Sequence, residues 1–230
     1  MSERLDVPGA IYYQKREVVS PFTLLEPTPT APNNRESMEG LVIDEAELEN
    51  TFYHLKFAYE GDGFDFLSLT TYKDNDFFTQ TDLSAVLGNA FPIPYQLNGE
   101  STAWFQEFRL TSNTDSPLEW TLGVFYTERE REVPNGAESL VPVFGTTNII
   151  FNNTITDTVE ASLYGEASWQ FNDQWRATLG GRFYTTESEG FSETSGLFNG
   201  FVTTFVEGDQ DESGFTPKLA LFYDMSDSVN

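Results

Sequence analysis

Cysteine is absent from the 230-residue sequence, which excludes disulfides, thiolate metal sites and a cysteine nucleophile. Basic residues are few, since 12 Lys and Arg stand against 37 Asp and Glu and give a formal net charge of −25. Nucleic-acid phosphates need cationic partners, so this balance argues against a nucleic acid as partner. His54 is the only histidine, and any Ser-His-Asp triad would have to use it.

Long apolar runs are also missing. No stretch of about 18 apolar residues could form a membrane helix, and Met1–Ala10 is too polar for a secretory signal. Taken alone, these absences favour a soluble protein. Aromatic residues, however, are 15% of the chain, far too many for the disordered state typical of acidic sequences.

The chain divides into two unequal parts. We expect residues 1–49 to be an irregular, acidic, proline-containing loop segment, because Pro21, Pro27, Pro29 and Pro32 interrupt regular structure. From residue 50 to residue 230 the hydrophobic period is two, which is typical of strands with one apolar and one polar face.

The clearest example is the strand pair Thr158–Phe171 and Gln174–Thr186, joined by the tight-turn sequence Asn172–Asp173. Its apolar face includes Val159, Leu163, Leu179 and Phe183, whereas Glu166, Arg176 and Arg182 lie on the polar face. Trp169, Phe171 and Trp175 flank the turn, as the aromatic girdle of a membrane interface would.

The whole region predicts about seven strands of roughly 10–13 residues. Soluble strands usually have about 5–6 residues, whereas tilted strands that cross a bilayer need about 9–11. Short turns at 61–63, 114–117 and 172–173 alternate with long connections at about 74–102, 131–157 and 188–212, a pattern typical of outer-membrane barrels. The predicted fold class is therefore all-β, an antiparallel up-and-down meander that forms an open segment of a transmembrane β-barrel.

Several motifs resemble the barrel of TonB-dependent outer-membrane receptors. They are Leu67–Tyr72, Gln106–Ser112 followed by Trp120 and Gly123–Tyr126, Tyr164–Ala167 with Trp175–Phe183, and Phe215–Lys218. The resemblance runs from about Asn50 to the C-terminus. It implies a Gram-negative outer-membrane protein, with membrane lipid, a small nutrient such as a ferric siderophore and an inner-membrane energy-coupling complex as partners.

The sequence departs from that family in several respects. It shows no plug domain, no energy-coupling box and no C-terminal aromatic residue. Seven strands are an odd number, and an open sheet in hydrocarbon leaves backbone groups unpaired. We therefore expect the chain to be a fragment of a longer receptor whose plug lies elsewhere.

Three groups of residues have types that could carry chemistry, but their patterns assign none of them a catalytic, cofactor or metal role. Asp209, Asp211, Ser213 and Gly214 resemble the start of a calcium loop, but Ala220 stands where that loop needs a glutamate, which favours a plain acidic loop. Glu128, Glu130 and Glu132 alternate with Arg129 and Arg131, which favours a strand leaving the membrane over a carboxylate pair for acid–base catalysis. His54 lies among polar wall residues, and no GxSxG motif accompanies it.

Two further sets concern ligand passage, although ligand-binding residues remain unknown from sequence alone. Charged residues on the polar faces are expected to form a structural network, to contact the plug or to line the passage of the substrate: Glu107, Arg109, Glu160, Glu166, Arg176, Arg182 and Lys218. Aromatic residues in the long connections either form a ligand surface or pack the connections together: Phe77, Phe78, Phe91, Tyr95, Phe144, Phe198, Phe201 and Phe205.

The sequence thus predicts part of a receptor that imports a scarce nutrient, without enzymatic chemistry. Two alternatives remain open at this point. One is a small soluble or surface β-sandwich that binds a partner, and the other is a self-contained eight-stranded outer-membrane barrel with one strand before Asn50.

Overall fold

The structure, a computed structural model, is an antiparallel sheet and describes residues 4–19, 41–84, 90–141 and 145–224. From β3 onwards each strand pairs with the next in sequence, so the sheet is an up-and-down meander. The strands are β1 (Arg4–Asp6), β2 (Gly9–Val19), β3 (Glu45–Glu60), β4 (Phe64–Asp82), β5 (Pro94–Ser112), β6 (Leu118–Val141), β7 (Gly145–Gln170), β8 (Trp175–Ser195) and β9 (Thr204–Tyr223). Leu197–Asn199 forms a 3-10 turn.

The N-terminal segment corrects one expectation. Instead of an irregular loop, it contributes β1 and β2, which both pair with β3 and together form one edge of the sheet. Val7 and Pro8 separate them because proline has no N–H to donate to a ladder, although the Pro8 carbonyl still accepts a hydrogen bond from the Lys56 N–H at 3.0 Å. The prolines at 21, 27, 29 and 32 lie outside the described residues.

Strand length corrects a second expectation. The strands from β3 to β9 have 16 to 26 residues, because the predicted long connections are themselves mostly hairpin arms. At about 3.3 Å per residue, a 26-residue strand extends roughly 85 Å, while about 9–11 residues suffice to cross a bilayer. We call the described residues of 74–102, 131–157 and 188–212 the distal hairpins, since their strands extend beyond the length that crosses a bilayer.

The short turns are where the sequence predicts them. Gly63 has a φ of 97°, a conformation that side chains disfavour, and it closes the turn between β3 and β4. Between β7 and β8 the Asn172 side chain accepts hydrogen bonds from the N–H groups of Gln174 and Trp175, both at 2.9 Å. Such side-chain turns fix the register of the strands that follow.

Near the short turns, the sheet presents one face that is apolar and exposed. Leu163, Leu179 and Leu219 are 48%, 68% and 82% exposed. Directly paired residues share a face, so the register carries this surface across every strand. Apolar residues of this kind are stable only against an apolar solvent. The set includes Leu5, Ile11, Leu55, Phe57, Phe108, Leu122, Val124, Leu163, Leu179, Phe183, Phe215, Leu219 and Leu221, and we call it the apolar band.

The sheet is open. The path across it has β1 and β2 at one edge and β9 at the other, and within the described ranges these edges are not paired with each other. A self-contained eight-stranded barrel is therefore not what this chain forms, and a sandwich of two packed sheets is excluded by the single continuous sheet. Among the described residues, no helix has the length and apolar character needed to cross a bilayer.

Candidate functional site

The face opposite the apolar band is polar, and we call it the inward face. Its best-connected group is formed by Glu107, Arg109 and Tyr164. The Arg109 guanidinium donates to the Glu107 carboxylate at 2.6 Å, and the Tyr164 hydroxyl donates to the same carboxylate oxygen. Arg109 also donates to the Tyr164 hydroxyl at 3.2 Å, so the three side chains bridge β5 and β7 across β6.

Glycine makes this bridge possible. Gly123 of β6 lies directly opposite Tyr164, and a Cβ added to it would stand 2.3 Å from the tyrosine ring. The ring therefore lies flat over the glycine and reaches the neighbouring strand. The same arrangement recurs with Tyr184 over Gly214 and Phe77 over Gly99, each pair being directly opposed in the sheet.

Two more ion pairs secure the inward face near the β9 edge. Arg182 binds Glu160, which joins β8 to β7. Lys218 of β9 binds Glu166 of β7, and it crosses β8 at Gly180, which lies directly between the two in the register. On the part of the inward face near the short turns, Arg109, Arg182 and Lys218 thus each have a carboxylate partner.

Farther from the short turns, three inward-facing cations are arranged differently. Lys73 and Arg129 lie in one row of the register, on either side of the small residue Ala103. Arg131 lies in the next row, opposite Ser101. Because neighbouring strands are about 4.8 Å apart, Lys73 and Arg129 begin roughly 10 Å from each other. We call Lys73, Arg129 and Arg131 the cationic strip.

Aromatic rings border the cationic strip. The Lys73 ammonium lies 5.8 Å from the centre of the Phe52 ring, and the Arg131 guanidinium lies 6.0 Å from the centre of the Phe77 ring. These are cation–π distances. Within the described part of the chain, none of the three cations lies within 4.0 Å of a carboxylate oxygen.

The outward face beyond the apolar band is acidic. Alternation sends most carboxylates of the distal hairpins outward while the neighbouring cations face inward. In the described strands, Lys15 is the single cation on this outward face, where it binds Glu17, Glu47 and Glu49. Hydrogen bonds to Glu47, Glu49 and Glu17 raise the Lys15 pKa well above its usual range, and the hydrogen bond from Lys15 lowers the pKa of Glu49. The outward carboxylates include Asp74, Asp76, Glu100, Glu128, Glu130, Glu132, Asp157, Glu187, Glu189, Glu207, Asp209 and Asp211.

The distal hairpins contain a small buried core. Ile93, Ala137 and Ile149 are at most 2% exposed, and Leu83, Phe91, Tyr95, Ile150 and Leu197 pack against them. Ser84, which is fully buried, donates to Asp82 and accepts from the Ile93 N–H at 2.9 Å. This core adds side-chain packing to hairpins that backbone pairing already joins, as between Tyr95 and Ala137.

Asp82 stabilises the backbone next to that core through hydrogen bonds. Its carboxylate accepts hydrogen bonds from the N–H groups of Leu41, Val42 and Ser84 at 2.6, 3.2 and 2.8 Å. Burial alone would raise the Asp82 pKa, but the hydrogen bonds from Ser84, Val42 and Leu41 outweigh burial and lower it.

Comparison with known proteins decides the family. The sequence model of the TonB dependent receptor-like, beta-barrel family matches residues 8–230. The chain belongs to this family. It is a family of outer-membrane receptors and transporters rather than enzymes, so the resemblance seen in the sequence motifs is confirmed.

A solved structure agrees on the fold. The ferric yersiniabactin uptake receptor FyuA from Yersinia pestis superposes with a TM-score of 0.78 at 12% sequence identity. The match covers 97% of this chain and 33% of the FyuA chain, so this receptor-family chain spans one third of that receptor's length. No curated protein is significantly similar in sequence.

The structure shows on which face of the sheet each residue named in the sequence analysis lies. The seven charged residues expected on the polar face all lie on the inward face, and three of their possible pairs form. His54 also faces inward, where its Nδ1 lies 2.9 Å from the Thr71 hydroxyl and its ring stacks on Phe52. Glu128, Glu130 and Glu132 face outward, opposite in direction to Arg129 and Arg131.

Two sets of residues that the sequence places in loops are arranged differently in the structure: one is acidic and the other is aromatic. Asp209, Asp211 and Ser213 belong to β9 and pair with β8, so they form a strand rather than a loop. No group of three metal-ligating residues is found in the described ranges. The connection aromatics do not form one surface: Phe91 and Tyr95 pack at the distal core, whereas Phe198, Phe201 and Phe205 are exposed. Phe144 lies outside the described residues.

Sequence reasoning named Tyr164 and Gly123 only as parts of family motifs, and it assigned no site role to them or to Lys73. Their roles depend on which residues stand opposite them on neighbouring strands. A signal was present for Lys73, whose alternation with Asp74 and Asp76 mirrors that of Arg129 with Glu128 and Glu130.

Proposed function

We propose that this chain forms part of the wall of an outer-membrane receptor that imports a scarce nutrient, a ferric siderophore or a similar chelate. The two-faced sheet carries this proposal, since one face suits lipid and the other lines a polar passage. The fold shared with FyuA, a ferric yersiniabactin uptake receptor, supports an iron chelate as the class of cargo.

In this proposal the wall performs no covalent chemistry. The apolar band contacts the lipid of the outer membrane, and the inward face borders the passage that the ligand follows. Energy comes from an inner-membrane complex acting through a plug inside the complete barrel. The ion pairs of Arg109, Arg182 and Lys218 hold the wall rigid while the ligand passes.

The test uses the full-length receptor that contains these strands. Its gene is deleted in the host, and growth is compared on ferric chelates, haem, cobalamin and maltodextrins as sole sources of iron, vitamin or carbon. We expect loss of growth, and of energy-dependent uptake of radioactive iron, on one or more ferric chelates. Undiminished uptake of every ferric chelate, or a requirement for another nutrient alone, would contradict the proposed cargo.

Localisation is tested separately. We expect the receptor in the outer-membrane fraction, with lower gel mobility after heating than before, because folded outer-membrane barrels resist detergent until heated. Recovery in the soluble fraction would refute the membrane assignment.

A further inference from the structure

Two groups of inward-facing cations differ in whether a carboxylate neutralises them. Near the short turns, Arg109, Arg182 and Lys218 each bind a glutamate of the wall. Farther out, Lys73, Arg129 and Arg131 have no carboxylate partner among the described residues. Lys56 and Arg176 also face inward without a carboxylate within 4.0 Å among the described residues, but each stands singly, whereas the strip brings three such cations together.

The register explains why the acids next to the strip in the sequence do not reach it. Asp74, Glu128 and Glu130 are sequence neighbours of the strip, but alternation directs them to the outward face. On the inward face, the same rows are completed by Ala103, Ser101 and the threonines at 156 and 158, which are small and uncharged. The inward acid of the adjoining row, Glu160, binds Arg182 instead, so the strip keeps its positive charge.

We propose that the cationic strip binds the anionic groups of the imported ligand. The ligand class is then a ferric chelate whose carboxylate or catecholate oxygens remain negatively charged, and this inference rests on the proposed function. Guanidinium groups bind such paired oxygens with two parallel hydrogen bonds, and the Phe52 and Phe77 rings hold the strip's two ends. Gly99 contributes by letting Phe77 lie flat enough to reach Arg131.

The experiment measures binding of radioactive ferric chelates to the full-length receptor in outer-membrane vesicles. The probes are ferric citrate and a ferric tris-catecholate, which are anionic, and a positively charged ferric trihydroxamate. The test variant is Arg129→Gln/Arg131→Gln. Its matched control is Glu128→Gln/Glu130→Gln, which makes the same number of changes on the same strand but on the opposite face.

We expect the wild-type receptor to bind an anionic probe and the arginine variant to bind it at least tenfold more weakly, since a hydrogen bond to a charged group contributes about one to two factors of ten in affinity. The control should retain affinity within about twofold. Arg129→Lys/Arg131→Lys should recover part of the loss, because the charge remains while the two-pronged geometry is gone. Lys73→Gln tests the strip from another strand and gives a result even if the double variant fails to assemble.

Three outcomes would overturn the inference. The first is binding of only the cationic probe, which leaves the proposed function standing. The second is unchanged affinity for the anionic probe in both the Arg129→Gln/Arg131→Gln and Lys73→Gln variants. The third is a change in protease protection of the receptor's plug without any change in ligand affinity, which would assign the strip to plug docking. If no ferric chelate of any charge is bound or imported, the proposed cargo fails as well.

Discussion

The half of the sheet near the short turns and the distal half consist of the same continuous strands, yet they are stabilised in different ways. Near the turns the apolar side chains are exposed outward, and carboxylates on the inward face bind Arg109, Arg182 and Lys218. In the distal half the outward side chains are carboxylates, and a small core around Ile149 is buried as in a soluble protein. The comparison shows that surrounding solvent, rather than secondary structure, decides where each residue type lies along one strand.

The largest effect is expected from substitutions in the apolar half of the sheet. Replacing Leu163 and Leu179 by Arg in the full-length receptor should prevent membrane assembly, because each lipid-facing charge near mid-bilayer costs about 2–4 kcal/mol. Outer-membrane fractionation and heat-modifiable mobility measure assembly. Asp157→Arg is the control, since it is an outward residue of the same strand in the distal half. Normal assembly of the double variant would show that this face does not contact lipid.

The next largest effect is expected from a substitution that destabilises the distal half alone. Ile149→Ala should destabilise the distal hairpins by about 2 kcal/mol or more, because it empties a fully packed position. Protease added to intact cells should cut the distal hairpins faster, while assembly of the barrel stays normal. Leu219→Ala, at a position that is 82% exposed, should leave protease resistance unchanged. Equal cleavage rates for the two variants would show that the distal core does not hold the hairpins together.

A smaller effect tests the glycine contacts of the inward face. Gly123→Ala should destabilise the folded barrel by about 1–3 kcal/mol, since its Cβ would displace the Tyr164 ring from Glu107 and Arg109. Urea unfolding in detergent micelles gives the change in free energy. Gly208→Ala is the matched control, because this strand glycine has no atom within 4 Å of the added Cβ. Similar values for both would refute the close approach of Tyr164.

The smallest effect concerns pH. Hydrogen bonds lower the Asp82 pKa, so the stability that this carboxylate contributes is complete above its unfolded-state pKa of about 4 and is lost as pH falls through the lower folded-state value. Asp82→Asn should weaken protease resistance of the distal hairpins at neutral pH and flatten its decline in acid. Asp76→Asn, on the exposed outward face of the same strand, should behave as wild type. A wild-type acid profile in the Asp82 variant would contradict this role.

Sequence patterning predicted the apolar half well and the distal half poorly. Val159, Leu163 and Ala167 alternate with Glu160, Tyr164 and Ser168, which predicts a strand with one face toward an apolar solvent and the other toward a polar one. The register confirms that the two sets lie on opposite faces. In the distal half apolar and polar residues occur on both faces, as in Thr147–Thr156, so alternation by hydropathy is lost and the pattern predicts long connections instead of strands. Charge alternation continued there, however, and predicted the opposed faces of Glu130 and Arg131.

The candidate site was predictable only in part. The charged residues of the polar face could be assigned from one strand at a time, because the alternation within a strand decides which face a side chain is on. The pairing of Lys218 with Glu166 through Gly180, and the row shared by Lys73 and Arg129, needed the register of three or more strands.

The separation of acids and bases to opposite faces has a consequence for how the length of these strands can change. Inserting or deleting one residue in β6 between Val124 and Glu128 would turn the remaining arm over, so that Glu128 and Glu130 would face the passage and Arg129 the outside. The same change made two residues at a time, or at the hairpin tips, would leave both faces intact. Viable length variants of this barrel should therefore differ by even numbers within the arms, and odd changes should be confined to the tips.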